Sequence, residues 1–155
     1  TLQSELPAFL REIRELGFGT KLDTNGTRPE MLDRLLRENL LDYVAMDVKA
    51  PLDERYYRMA GCRVELGAIR ASMNLLRSKA PTYEFRTTVA PGLGREDLLA
   101  IASELEDGDA WILQPFRYTK GVDAALADAE ALDEDALVGI VEKLQQRLPG
   151  VGVRK

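Results

Sequence analysis

Helical and extended patterns alternate along this chain, and that alternation narrows its fold more than any other feature. Leu2, Leu6, Phe9, Leu10, Ile13 and Leu16 recur at helical spacing, which predicts an amphipathic helix over 3–16. TKLDT, 20–24, lies between Gly19 and Gly26 and predicts a strand. Thr27 with Glu30 matches a capping box and Pro29 suits a first turn, so a helix carrying Met31, Leu32, Leu35 and Leu36 follows. DYVAMDVKA, 42–50, is the next strand, stopped by Pro51. Residues 52–64 are irregular or form a short helix, and Leu66, Ile69, Met73 and Leu76 then define a third long helix. YEFRTTVA, 83–90, is rich in β-branched and aromatic residues and ends at Pro91-Gly92, as a strand does. Leu98, Ile101, Ala102 and Leu105 mark another helix, and DAWILQPF, 109–116, a fourth strand. A long acidic, Ala-rich stretch leads to a last helix through Leu137, Val141, Leu144 and Leu148, closed by Gly150.

Strict alternation implies parallel strands joined by right-handed crossovers, hence the α/β class. The choice is between an open doubly wound sheet and part of a barrel. A dinucleotide-binding sheet needs a glycine fingerprint after its first strand, and DTNGTRP is not one. No repeat or linker divides the chain, so residues 1–155 are expected to form a single domain. Polar residues stand at the strand ends: Asp23, Asp47 with Lys49, Arg86, and Gln114. Parallel α/β folds gather their ligands at the carboxyl ends of strands, so one shared pocket accounts for all of them.

Composition removes many alternatives. The chain has no histidine and one cysteine, Cys62. A histidine base, a Ser-His triad, an internal disulfide framework and any metal or iron–sulfur site built from several cysteines of this chain are therefore excluded. A single cysteine suits a reducing cytoplasm. The net charge of −5 gives no general attraction for nucleic acid or membrane. The acids cluster between Asp107 and Asp135, where a solvated surface explains most of them. No apolar run approaches the ~20 residues of a membrane span.

The candidate residues each carry two readings. In a strand, Asp47 and Lys49 share a face with Ala45, opposite Val44, Met46 and Val48. They either pair with each other or offer a carboxylate and an ammonium to a small ligand. LDTNG, 22–26, is either a plain turn or, through Asp23, Thr24 and Asn25, part of the pocket. Arg86 shares a face with Thr88 and Ala90, and its guanidinium needs an anion, which is Asp47 or a ligand carboxylate. Gln114 faces the interior, and Arg117 lies past its strand. Tyr56, Tyr57 and Arg58 either line a binding surface or pack the loop, Cys62 reads as structural or incidental, and Trp111 as core.

KLDTNG, YVAMDVKAP, FRTTVAPG and LQPFR, in this order and spacing, resemble the radical S-adenosylmethionine activating enzymes. The likeness is to the anaerobic ribonucleoside-triphosphate reductase activating protein and pyruvate formate-lyase activating enzyme type. It implies a parallel-stranded, partial TIM-type (β/α)6 barrel, here truncated to about four strands with flanking helices. It also implies a parent enzyme that makes a glycyl radical on a partner enzyme by hydrogen abstraction with a 5′-deoxyadenosyl radical. S-adenosyl-L-methionine and a 4Fe–4S cluster are the implied cofactors of that parent. The implied partners are a glycyl-radical enzyme and an electron donor such as flavodoxin or ferredoxin. By resemblance, Asp23 and Thr24, with Asn25 beside them, lie near the methionyl part of the cofactor, and Asp47 and Lys49 contact its ribose and carboxylate. Arg86 faces the cofactor or the partner's glycine segment, Gln114 is expected among the cofactor-binding residues, and Arg117 stands near the partner or substrate, where related enzymes have a histidine. The cysteine loop that holds the cluster is missing. The resemblance therefore implies the C-terminal two-thirds of the core of a longer enzyme, inactive by itself and binding no cofactor tightly. Two other readings are a non-catalytic binding module with a degenerate pocket and a radical reaction on a small substrate.

Overall fold

In a computed structural model, residues 1–119 and 131–154 are described, and part of the acidic stretch leading to the last helix lies outside them. The alternation holds. The elements run α1 (Leu6–Glu15), β1 (Lys21–Thr24), α2 (Pro29–Arg37), β2 (Tyr43–Asp47), α3 (Glu54–Ala60) and α4 (Leu66–Lys79). They continue with β3 (Tyr83–Val89), α5 (Arg95–Ser103), β4 (Trp111–Pro115), α6 (Glu134–Leu144) and β5 (Val151–Val153).

Every strand pair is parallel, and the sheet order is β1-β2-β3-β4-β5. A doubly wound sheet reverses its strand order at a switch point. This sheet never reverses, which decides for the barrel-type winding. The sheet has five strands where about four were expected. The additional one, β5, is three residues long and interrupted by Gly152, too short to show a period. Gly150 does not close α6, which ends at Leu144. Instead it lies against Asp109, where a Cβ would collide with the carbonyl oxygen, and its own carbonyl accepts from the Trp111 amide at 3.0 Å.

One sheet face is the core. Leu22, Val44, Met46, Phe85, Val89, Trp111, Leu113 and Val151 join the buried faces of the helices in a single cluster. The register puts the alternate positions on the opposite face: Lys21 and Asp23, then Tyr43, Ala45 and Asp47, then Glu84, Arg86 and Thr88, then Ile112 and Gln114. The inner face of the half-barrel is thus mostly polar, and no helix residue is needed to explain its composition.

Two local expectations are corrected. The Thr27–Glu30 capping box is not made: α2 has Arg28 at its N-cap with no side-chain cap bond, and the Thr27 hydroxyl donates to Asn25 Oδ1 at 2.8 Å. The apolar stripe of the first helix is only partly inward, with Leu2, Phe9 and Leu16 each more than half exposed, because β1 is an edge strand with a single neighbour. Of the two readings of residues 52–64 the short helix holds: α3 is capped by Asp53 on the Arg55 amide and ended by Gly61 at φ 68°.

Candidate active site at the carboxyl ends of the strands

Asp47 ends β2 and lies directly across from Arg86 in the β2–β3 register. The guanidinium donates to Asp47 Oδ1 through Nε at 3.1 Å and Nη2 at 2.9 Å. Its third arm, Nη1, reaches over β2 to Asp23 Oδ2 at 3.0 Å. Ala45, in register with Asp23, leaves only a methyl group on the inner face of β2 along that path. One arginine therefore ties the ends of three strands together.

The charges are consistent with this arrangement. Arg86 is mostly buried, which works against its charge, but the fields and hydrogen bonds of Asp47 and Asp23 outweigh burial and raise its pKa. Asp23 is held below the usual carboxyl range first by the Lys21 ammonium, which donates to it at 2.7 Å, and further by Arg86, with burial opposing both.

Two clefts flank the ion triad. One, of about 110 Å³, is lined by Asp47, Lys49, Met59, Arg86, Thr88 and Ala90. The other, of about 220 Å³, is lined by Thr1, Leu2, Asp23, Thr24, Asn25 and Asp47. They meet at Asp47. Each alone is smaller than the ~300 Å³ at which small-molecule sites begin. As two arms meeting at one carboxylate, they suit an elongated polar ligand.

Of the expected residues, Asp23, Asp47, Lys49 and Arg86 come together. Asp47 and Lys49 do not pair with each other: Asp47 pairs with Arg86, and among the described residues no carboxylate lies within ion-pairing distance of Lys49. The Arg86–Asp47 pairing is the one expected as the alternative to a ligand contact. Thr24 and Asn25 border the second cleft with polar atoms already engaged in the turn. Thr24 Oγ1 accepts from the Gly26 amide at 3.2 Å, and Asn25 Oδ1 accepts from the Thr27 amide at 3.1 Å. Gly26 sits at φ 72°, where a Cβ would run into the Met46 methyl, so this turn requires glycine. Gln114 lies opposite Thr88 on the same sheet face but does not line either cleft. Arg117 is exposed, past the end of β4, and is not brought to the clefts.

Met59 was missed as a site residue, and a seven-residue helix offers too few periods to assign its faces. A second inner-face cluster was also missed. Glu84, with its side chain 5% exposed, takes Arg154 Nη1 at 3.0 Å and Nη2 at 2.8 Å. Glu84 needed β5 to find its partner, so nothing near it in sequence signals the pair.

Among the described residues no group of three potential metal ligands comes together. The whole sequence has one cysteine and no histidine. Iron–sulfur clusters are held by several thiolates. The residues of this chain do not fit a 4Fe–4S cluster. They do fit a small polar ligand carrying hydroxyl donors and an anionic end. Asp47 Oδ1 accepts both Arg86 bonds while Oδ2 accepts none among the described residues, and the Lys49 ammonium is uncommitted.

A sequentially wound parallel sheet with a polar, ion-paired cleft at its strand ends defines an α/β half-barrel of the ligand-binding kind. Residues 1–105 match the Radical SAM superfamily. The chain belongs to that superfamily, whose members use S-adenosylmethionine. It is 36% identical over 122 residues to a candidate glycyl-radical enzyme activating enzyme of Methanocaldococcus jannaschii, MJ1227; the match covers 75% of this chain and 50% of that protein. The chain thus spans about half the length of this relative. In fold it is similar to a domain of a pyruvate-formate lyase-activating enzyme from Bacteroides vulgatus, with a TM-score of 0.69 at 15% identity over 97% of this chain and 89% of that one. It is also similar to TYW1 bound to a lysine-pyruvate adduct, with a TM-score of 0.72 at 18% identity over 95% of this chain and 47% of that one.

Proposed function

We propose that this chain is the cofactor-binding portion of a glycyl-radical enzyme activating enzyme, and that S-adenosylmethionine lies across the two clefts that meet at Asp47. The observation that carries this reading is the gathering of Asp23, Asp47, Lys49 and Arg86 around two clefts that share Asp47, in a chain of this superfamily. Asp47 Oδ2 is the acceptor for ribose hydroxyls, and Arg86 holds that carboxylate in orientation through Oδ1. Lys49 supplies a cation for the cofactor carboxylate. Thr24 and Asn25 line the second arm, Gln114 lies further along the same sheet face, and Arg117, past the end of β4, is assigned to a partner protein. In such enzymes the cofactor supplies a hydrogen-abstracting radical. This chain holds no cluster ligands, so its own part is binding, orienting and excluding water.

On this reading the partner is a glycyl-radical enzyme, with the electron supplied by a small redox protein such as flavodoxin or ferredoxin, in the reducing cytoplasm that a single cysteine suits. No helix among the described residues is long and apolar enough to cross a membrane.

The test is amide NMR of the chain titrated with S-adenosylmethionine. Binding without a cluster is expected to be weaker than micromolar. Perturbations are expected at Asp47, Lys49, Thr88 and the 23–26 turn, and not along the outer groove between α2 and α4 that Pro29, Asp33, Ala71, Leu75 and Ser78 line. A response confined to that outer groove, or none at millimolar ligand, contradicts the reading.

A further inference from the structure

Tyr56 is 1% exposed, and among the described residues its hydroxyl is the buried side-chain polar atom that finds no hydrogen-bond partner. Buried hydroxyls are nearly always paired, because leaving one unpaired forfeits its hydration with no return. Phenylalanine would fill the same space without that penalty. A tyrosine here is explained if its hydroxyl has a partner in another state of the protein.

The surroundings of Tyr56 point to that partner. Burial raises the phenol to about 12, the Lys49 backbone opposes the rise, and the Asp47 charge adds to it. The hydroxyl therefore lies by the backbone of Lys49 and within the field of Asp47. The Lys49 backbone favours the phenolate without meeting hydrogen-bond geometry, so the hydroxyl proton remains unspent. Met59, one turn further along α3 on the same side, lines the cleft with Asp47 and Lys49. Its methyl comes within 3.9 Å of where a Cβ on Gly92 would stand, so it spans from α3 to the loop after β3. An unbranched thioether is the most easily moved kind of wall. Among the described residues two donors thus stand without a partner around the end of β2: the Lys49 ammonium and the Tyr56 hydroxyl.

We infer that Tyr56 is a ligand-binding residue of this site, donating its hydroxyl proton to an anionic oxygen, such as a carboxylate, that the Lys49 ammonium also holds. The acceptor reaches the hydroxyl when Met59 swings aside. This rests on the cofactor reading above and assigns one more contact to it.

The test is Tyr56→Phe in this chain, with Tyr57→Phe as the control. Thermal unfolding is followed with and without millimolar S-adenosylmethionine, a ligand range in which weak binding still shifts the midpoint. Without ligand, Tyr56→Phe is expected to unfold at the same temperature as the parent or higher. With ligand, its shift is expected to be smaller, corresponding to about five- to tenfold weaker binding. The control is expected to match the parent. A Tyr56→Phe chain less stable than the parent without ligand overturns the inference, because the hydroxyl is then already spent inside the protein, as on a buried water. Equal ligand shifts in parent and variant overturn it while leaving the cofactor reading intact. A parent that shows no shift at all sinks the cofactor reading and this inference with it.

Discussion

Arg86→Met removes the cation that joins three strands and leaves Asp23 and Asp47 without it. Three charge-assisted hydrogen bonds go with it, at 2.9 to 3.1 Å. Exposed ion pairs are worth ~0–1 kcal/mol, whereas removing one partner of a buried pair costs ~3–5 kcal/mol. Here the arginine side chain is 13% exposed but Asp23 is 54% and Asp47 38% exposed, so water screens the two carboxylates left behind. The loss is placed between the limits, at about 2 kcal/mol. For a chain of this length that lowers the melting midpoint by roughly 4–8 °C at pH 7, read by circular dichroism. The pH dependence follows from Asp23, whose folded pKa is depressed. A depressed carboxylate adds stability above its unfolded pKa of ~3.9 and loses it as pH falls through the folded value. As pH falls through the folded Asp23 value the parent loses that contribution, so the gap between parent and variant is expected to narrow. Adding Asp23→Asn and Asp47→Asn to the Arg86→Met variant is expected to recover most of the loss at neutral pH, because a whole ion network is close to neutral in net stability. A gap at pH 7 that persists undiminished to pH 3, or no gap at all, refutes this account of the triad.

Two further outcomes follow from the same inner face. Burial pushes the Glu84 carboxyl up, but the hydrogen bonds of Arg154 and Tyr43 outweigh it and hold the pKa down. Arg154→Ala removes the main counterweight, so the Glu84 titration followed by carboxyl NMR is expected to move upward, with a stability loss of about 2 kcal/mol at pH 7 that eases on acidification. An unmoved titration contradicts the assignment of Arg154 as its partner. Lys49→Met is expected to change unfolding stability by less than about 0.5 kcal/mol, since no ion pair is lost among the described residues, while abolishing the ligand-induced shift. A large stability loss would mean that the ammonium is already paired in the free chain.

The fold was legible wherever a segment was long enough to show a period. The strands at 20–24, 42–50, 83–90 and 109–116 lie within a few residues of their expected bounds, and the α/β alternation fixed their parallel pairing. β5 escaped because three residues with a central glycine show neither alternation nor bulk, and it forms by docking on β4 rather than by local preference. The first helix is shorter than its apolar stripe suggests, because a stripe need not be a buried face: at an edge strand only Pro7 and Leu10 are buried.

The site was legible as a list of residues but not as a set of partners, and the difference is physical. Which face Asp47 and Arg86 occupy depends on the two-residue period of one strand, a local property. Which charge meets which depends on the offset between strands, and here that offset sets Asp47 opposite Arg86 rather than beside Lys49. The same offset gives the site its asymmetry. Arg86 is consumed by two carboxylates, while Lys49, two residues past the pairing, has no ion pair among the described residues. The sequence signal for ligand binding was the pair Asp47 and Lys49. Their separation in the structure, into one acceptor oriented by Arg86 and one ammonium with no ion pair among the described residues, is what the proposed reading uses: hydroxyl donors at Asp47 and an anionic end at Lys49.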